Sequence, residues 1–187
     1  RQMCIRDRNW AYGHTDITGT KAAILSFVNR YIFPDEPTTI DGVKYFARSF
    51  LHVDREEIKA EIEEAFRGVP QDEEREFRIY PDYAWSASNC VESGYPEHWP
   101  DTCITLQDAC LEDQVDVSIH TKEEGMWFEE YIWCFRTGEF GSESSDLKTA
   151  VCKDCGNTQA IASFEELDDL VCCECSGSNF EMAKEDQ

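Results

Sequence analysis

The spacing of apolar and polar positions changes along this chain and separates predicted strands from predicted helices. The stretch NWAYGHTDITG, residues 9–19, alternates as a strand does and closes on Gly19. The next stretch, TKAAILSFVNRYI, places apolar residues at helical spacing behind a capping Thr20. The chain is therefore predicted to open with a strand that leads directly into a helix.

The same pattern continues through the middle of the chain. VKYFARSFLHV is typical of a strand, and DREEIKAEIEEAFRG of a helix that Asp54 caps and Gly68 ends. FRIYPDYAWSA predicts another strand, in which Pro81 favours an edge position or an early stop. SNCVESGYPEHWPD is predicted to be a loop, and TLQDACLED a short capped helix.

A β-hairpin is predicted next, in QVDVSIHTKEEGMWFEEYIWCFRTG. Val115, Val117 and Ile119 alternate on its first arm, and residues 127–135 form its second arm around Gly125. This order of elements predicts an α+β domain over residues 9–141, with helices on one face of an antiparallel, ferredoxin-like sheet. Four of its tryptophans offer enough aromatic area for an independent core. They are Trp10, Trp85, Trp127 and Trp133.

The first eight residues, RQMCIRDR, do not continue this pattern. They resemble translated adapter sequence at the edge of an assembled read, and residues 1–8 are predicted to be a non-native or disordered leader. A flexible native arm is the competing interpretation.

A second, smaller unit that binds metal is predicted over residues 149–182. Cys152 and Cys155 form one Cys-x-x-Cys pair, and Cys172 and Cys175 form another, at a spacing that is typical of a Cys4 zinc ribbon. Four thiolates leave no open coordination position, so one structural zinc ion is predicted. Buried or disulfide-bonded cysteines are the alternative. Cys173 is an additional cysteine that could replace a neighbouring residue as metal ligand, although the spacing favours Cys172.

The remaining cysteines indicate a reducing compartment, because they occur singly among apolar residues. They are Cys4, Cys90, Cys103, Cys110 and Cys134. No secretory signal and no apolar run of about 18 residues is found, so a cytoplasmic protein of a bacterial host cell is predicted.

Several of these motifs carry a resemblance to a known group of proteins. Asn9-Trp10 in the first strand, Trp85, and a Glu-x-Gly-x-x-Phe turn at Glu123, Gly125 and Phe128 resemble a family of phage and plasmid proteins with a ferredoxin-like domain. The resemblance covers about the first three quarters of the chain. It implies a mobile-element origin and a fold, but no reaction and no zinc ribbon.

An enzyme is not predicted. The candidate bases His14, His52, His98 and His120 have no nucleophile that spacing alone can assign to them. No phosphate-binding loop, nucleophile elbow or His-Glu-x-x-His motif is present. Three further carboxylates are interpreted as solvated strand or turn residues rather than catalytic acids. They are Asp82, Glu129 and Glu130.

The charge of the chain bears most directly on function. Its 39 Asp and Glu outnumber 17 Lys and Arg, which gives a formal net charge of -22. A merely solvated surface is the simplest interpretation. The alternative is mimicry, in which carboxylates occupy a basic groove that normally holds phosphates. The predicted partner-binding carboxylates are Glu61, Glu64, Asp168 and Asp169.

Two functions follow from these features. The first is a non-enzymatic inhibitor that binds a host nucleic-acid-handling protein; the profile is similar to that of anti-CRISPR proteins, which makes a type II CRISPR effector nuclease the first target to consider. The second is a nucleic-acid-binding zinc-ribbon protein of phage replication or transcription. A basic face would favour the second, yet in residues 151–187 only Lys153 and Lys184 are basic.

Overall fold

The computed structural model describes residues 10–32, 45–46, 51–91 and 103–183. The strands, numbered in chain order, are β1 (Trp10–Thr20), β2 (Tyr45–Phe46), β3 (Leu51–His52), β4 (Glu74–Ile79), β5 (Asp82–Ala84), β6 (Cys103–Ile104), β7 (Asp116–Glu123), β8 (Phe128–Cys134), β9 (Phe140–Asp146), β10 (Lys148–Cys152), β11 (Thr158–Ile161) and β12 (Phe180–Met182). The helices are α1 (Lys21–Phe27), which continues as a π-helical turn over Val28–Ile32, α2 (Arg55–Ala65), α3 (Ala87–Val91), α4 (Leu106–Asp113) and a 3-10 turn at Leu167–Asp169.

The described strands form three sheets, of which the largest dominates the molecule. Its strand order is β3-β5-β1-β7-β8-β9, with β4 also paired to β1, and every pairing is antiparallel. A second sheet has β10 between β11 and β12, and β2 and β6 form a short parallel pair. The predicted α+β class with an antiparallel sheet is therefore confirmed.

The finer, ferredoxin-like arrangement is not confirmed by this strand order. A ferredoxin-like chain runs β-α-β-β-α-β, so its hairpin lies between its two helices. Here the β7-β8 hairpin follows α4, the last of the four α-helices in the described ranges, and β9 extends the sheet beyond it. The two folds share a central first strand with neighbours on both sides, but connect those neighbours differently.

The core lies on one face of the large sheet, beneath the helices. Alternating positions of β1, β7 and β8 point Ile17, Ile119 and Ile132 into it, and α1 and α4 cover them with side chains that include Phe27 and Leu106. The prediction of a tryptophan core is wrong. Trp127 is 41% exposed, and Trp10, Trp85 and Trp133 are only partly buried, because aliphatic residues and Tyr83 fill the space.

The predicted helix caps are confirmed. The Thr20 side chain accepts a hydrogen bond from Ala23 N, and the Thr105 side chain accepts one from Asp108 N. Asp54 accepts from the backbone at the start of α2, whose buried residue is Ile58. In the ranges the structure describes, no helix is long and apolar enough to cross a membrane.

Several boundaries differ from the prediction. The strand predicted in VKYFARSFLHV contains two short strands, β2 and β3, with residues 47–50 outside the described ranges. Pro81 lies in the break between β4 and β5, since proline cannot donate to the ladder. The helix α3 (Ala87–Val91) takes in the last residue of the predicted strand and the first four residues of the predicted loop. Residues 142–148, which fall between the two predicted domains, belong mainly to β9, so a domain boundary at Gly141 cuts a strand.

The hairpin turn explains the Glu-x-Gly-x-x-Phe pattern. Glu123 is buried at the end of β7, and its carboxylate accepts hydrogen bonds from the backbone N–H groups of Gly125 and Met126. Trp127 then adopts a left-handed φ of 62° before Phe128 resumes the ladder opposite Glu123. The acidic residue of the motif is thus a turn cap rather than a surface charge.

Candidate metal centre and sheet-face cleft

The four predicted metal ligands lie at two turns with matching backbone geometry. Gly156 N donates to Cys152 O and Ser176 N donates to Cys172 O, both at 2.8 Å. Gly156 and Ser176 hold the same place after each pair and have left-handed φ values of 79° and 58°. Each turn therefore aims two thiols in one direction.

The geometry of the thiols fits a single tetrahedral metal ion. The four sulfur atoms lie within 4.8 Å of one another. Two of their separations are 3.6 Å, between Cys152 and Cys175, and 3.5 Å, between Cys155 and Cys172. Metal–sulfur bonds of about 2.3 Å require sulfur atoms that are roughly 3.8 Å apart in a tetrahedron. The cluster is thus close enough to hold a metal ion, as the sequence predicts.

The backbone of the second turn favours a thiolate at Cys172. Backbone N–H groups, of Cys175 first and then of Glu174, lower the pKa of the Cys172 thiol to about 6. Cys173 is exposed and does not belong to the cluster; its sulfur lies 3.3 Å from the Asn157 amide nitrogen. The preference for Cys172 over Cys173 that the spacing indicates agrees with this geometry.

The residues around the cluster, 148–183, are here called the C-terminal module. Ala160 and Ala162 pack with Leu147 in a separate small cluster, and the main core of the module consists of five residues: Ala150, Cys152, Ile161, Cys172 and Phe180. Two of these five residues are themselves metal-site cysteines. The apolar packing of the C-terminal module is therefore slight without its thiols.

The C-terminal module packs on the large sheet, on the face opposite the helices. Lys122 Nζ lies 2.8 Å from Glu165 Oε1, and Lys122 is buried there. Phe164 meets the rings of His14 and His120 edge-on, at 5.4 and 5.7 Å between centroids. Glu165 is thus an ion-pair partner of the sheet, because the turn carrying it lies over the sheet face.

A row of aromatic rings crosses this sheet face. His14, His120 and Tyr131 are cross-strand partners on β1, β7 and β8, and their rings stack at 4.8 and 4.4 Å. Tyr131 also stacks on Trp133, at 5.1 Å. Burial lowers the pKa of both histidines, so both rings are neutral near pH 7.

Beside this row lies a cleft of about 230 Å³, between the sheet and the turn of the C-terminal module. Its lining includes His120, Tyr131 and Phe164, together with the carboxylates of Glu129 and Glu143. Glu129 lies on the same face as Tyr131, two residues earlier on β8, and Glu143 is the cross-strand partner of Tyr131. The sequence did not predict this site, because no local pattern relates β8 to residues 163–164.

The interpretation of Glu129 and Glu130 as solvated residues is wrong. Each is only 8% exposed. Glu129 accepts hydrogen bonds from Ser145 Oγ at 2.9 Å and from the backbone N–H of Ser163, and Glu130 accepts from Ala87 N and Ser88 Oγ at 2.8 and 2.6 Å. The hydrogen bonds of both carboxylates are therefore made by neutral donors of the protein rather than by a basic side chain.

The predicted partner-binding carboxylates lie on two separate elements. Glu64 is exposed and Glu61 half-buried on α2, whereas Asp168 and Asp169 are exposed on the 3-10 turn of the C-terminal module. The structure thus presents two independent acidic surfaces and does not bring them into one cluster.

The other candidate bases are not gathered into a site by the described residues. His98 lies outside those residues, and for His52 only the backbone is described, within β3. Asp82 is half-buried in β5. Across the described part of the chain, the cysteine cluster is the one group of three or more potential ligands close enough to share a metal ion.

The comparisons with known proteins add no relationship to these observations. No protein-family model matches the chain, and no curated protein and no solved structure matches it.

Proposed function

We propose that this chain is a non-enzymatic, zinc-stabilised inhibitor that binds a basic groove of a host nucleic-acid-handling protein. Its carboxylates take the place of phosphates, so the protein acts as a nucleic-acid mimic. The first target to test is a type II CRISPR effector nuclease, whose positively charged channel holds the guide–target heteroduplex. The similarity of the sequence profile to anti-CRISPR proteins supports that choice of target.

Zinc is the metal that the ligand set favours. Thiolates are soft ligands, and a closed tetrahedral S4 site in a small module is typical of structural zinc. Its role would be to hold the C-terminal module in shape, since the apolar core of that module is small. The rigid module would then carry Asp168 and Asp169 at a fixed position on the surface.

One observation carries the proposal: most of the described basic side chains are engaged within the protein, while several outward carboxylates are not neutralised. Lys21 donates to the carbonyls of Phe66 and Val69 at 2.9 and 3.0 Å. Other described cations form ion pairs with carboxylates; they are Arg30, Lys59, Arg75, Arg78, Lys122, Arg136 and Lys153.

The surface that remains for a partner is correspondingly anionic. Within the described ranges, several exposed carboxylates make no ion pair with another described residue. They include Glu57, Glu63, Glu64, Asp168, Asp169 and Glu174. A field of this sign attracts a basic groove and repels a phosphate backbone, so it favours a protein partner over direct binding of nucleic acid.

The test is DNA cleavage by a guide-loaded type II effector nuclease in the presence of the purified protein. We expect inhibition that weakens as salt rises, because exposed charges more than about 8 Å apart are screened at physiological ionic strength. The double variants Glu61→Lys with Glu64→Lys and Asp168→Lys with Asp169→Lys change the net charge equally. Each therefore serves as the matched control for the other.

Only the double variant whose substituted residues lie in the contact surface should associate more slowly with the nuclease. Equal losses in both variants would indicate a general charge effect and would remove the assignment to one face. A shift of free DNA or RNA by the protein in a gel at physiological salt would overturn mimicry in favour of direct nucleic-acid binding. No inhibition of any type II effector would exclude that target.

A further inference from the structure

We infer that the cleft between the large sheet and the C-terminal module binds a guanidinium group, supplied by an arginine side chain of the partner protein. The inference rests on the proposed function, because it names the group that an acidic inhibitor would take from a basic groove. It assigns to the cleft a role separate from the exposed carboxylates of α2 and of the 3-10 turn.

The charges around the cleft select a cation. Glu129 is a buried residue of its lining and receives hydrogen bonds from neutral donors, the Ser145 hydroxyl and the Ser163 N–H. Glu143 is exposed at its side and makes no ion pair with any other residue in the described ranges. A carboxylate can accept about four hydrogen bonds, so Glu129 retains capacity for a charged donor.

The nearest cation on the sheet face is already engaged. Lys122 is the cross-strand partner of Glu129, but its ammonium group lies 2.8 Å from Glu165 and 3.4 Å from Glu124. His120 adds no charge near pH 7, because burial lowers its pKa. The cleft therefore carries negative charge that no described basic group balances.

The size of the cleft fits one side chain. Clefts that bind cofactors and drug-sized ligands occupy about 300–1,000 Å³. At about 230 Å³ this cleft is smaller than that range, yet it is open on one side, so a side chain projecting from a second protein can enter it. A nucleotide or a dinucleotide cofactor is too large for it.

The walls favour guanidinium over ammonium or a metal ion. Tyr131 and Phe164 give the cleft aromatic walls, and guanidinium is planar, weakly hydrated and compatible with such surfaces. Its several N–H groups can reach carboxylates on two neighbouring strands, β8 and β9, whereas an ammonium group is a compact point charge. Among the described residues, the cleft side chains do not form a set of three close metal ligands.

The experiment is a titration of the full chain with N-acetyl-arginine amide, followed by backbone amide NMR. We expect saturable shifts at residues 143–145 and 163–164, with N-acetyl-lysine amide binding more weakly. In Glu143→Gln the arginine affinity should fall by roughly tenfold, the loss expected for one charge-assisted hydrogen bond. Asp146→Asn, on the same strand but away from the cleft lining, makes the same charge change and should bind as the wild type does.

Two results would overturn the inference. One is the absence of saturable shifts in the cleft, and the other is an equal loss of affinity in Glu143→Gln and Asp146→Asn. Neither depends on the identity of the partner. If the protein inhibits a nuclease but does not bind arginine, the proposed function stands and the cleft has no part in it. If it binds arginine but inhibits no nuclease, the guanidinium site stands and the proposed function does not.

Discussion

The imidazole rings of His14 and His120 stack across the β1–β7 pair, with centroids 4.8 Å apart and ring planes 22° from parallel. Both rings also meet the edge of Phe164, so the contact joins the large sheet to the C-terminal module. Asp16 lies 3.6 Å from His14 Nε2 and favours the protonated form, but burial outweighs it and Arg78 opposes it.

This pair predicts a pH-dependent stability. Burial holds the pKa of each histidine below the ordinary value of 6.5. The unfolded chain therefore binds protons first as the pH falls through about 6.5, and the folded state loses stability there. We expect the free energy of unfolding to drop between pH 7.5 and 5.5, measured by urea denaturation.

The matched control is the double variant His14→Asn with His120→Asn, which keeps every carboxylate and every thiol. Its loss of stability over the same pH interval should be smaller than that of the wild type. Identical pH dependence in the two proteins would show that other groups, such as the carboxylates or the cysteine thiols, account for the whole effect.

The close approach of β1 and β7 at Gly13 leaves no space for a side chain there. A Cβ atom at this position would lie 1.9 Å from the carbonyl oxygen of His120 on the adjacent strand. Gly13→Ala should therefore cost about 3 kcal/mol, because β1 and β7 would have to separate. Gly68→Ala is the control, since its Cβ meets nothing within 4 Å and only its φ of 75° is unfavourable. That variant should cost about 1 kcal/mol by urea denaturation, and equal costs would contradict the prediction.

The large sheet should fold without the C-terminal module. The principal core contains no residue beyond Phe140, so a fragment that ends at Asp146 keeps that core and the whole of β9. We expect it to unfold cooperatively, but at a lower denaturant concentration than the full chain, because buried Lys122 loses its ion pair with Glu165. A fragment that ends at Gly141 should be less stable still, since it loses most of β9. A molten or aggregated product from the Asp146 fragment would show that the module belongs to one common core.

Metal content gives a direct measurement on the cysteine cluster. Elemental analysis should find one zinc ion per chain, and Cys172→Ser should lose it because one of four ligands is gone. Cys173→Ser changes the neighbouring, exposed cysteine and should keep the full zinc content. An iron-containing wild type, or a Cys173→Ser variant as depleted as Cys172→Ser, would contradict this assignment.

The local sequence determined the elements whose signals are carried by neighbouring residues. Thr20, Asp54 and Thr105 cap helices where the sequence predicts, because a cap involves only the next three residues. The β7–β8 hairpin is confirmed for a similar reason, since its alternation and its turn lie within one short stretch. The two Cys-x-x-Cys pairs fix their own turn geometry, so their convergence on one cluster was predictable from spacing.

Only the tertiary structure decided how these pieces meet. No local pattern states that β1 lies between β4 and β7, and the register of β1 with β7 sets His14 beside His120. The register of β8 with β9 sets Glu143 beside Tyr131. The burial of Glu129 and Glu130 likewise depends on donors that are distant in the chain, Ser163 and the start of α3. A carboxylate in a strand has the same sequence signature whether it faces water or a buried N–H group. The difference arises from long-range packing, and the cleft between the sheet and the C-terminal module arises in the same way.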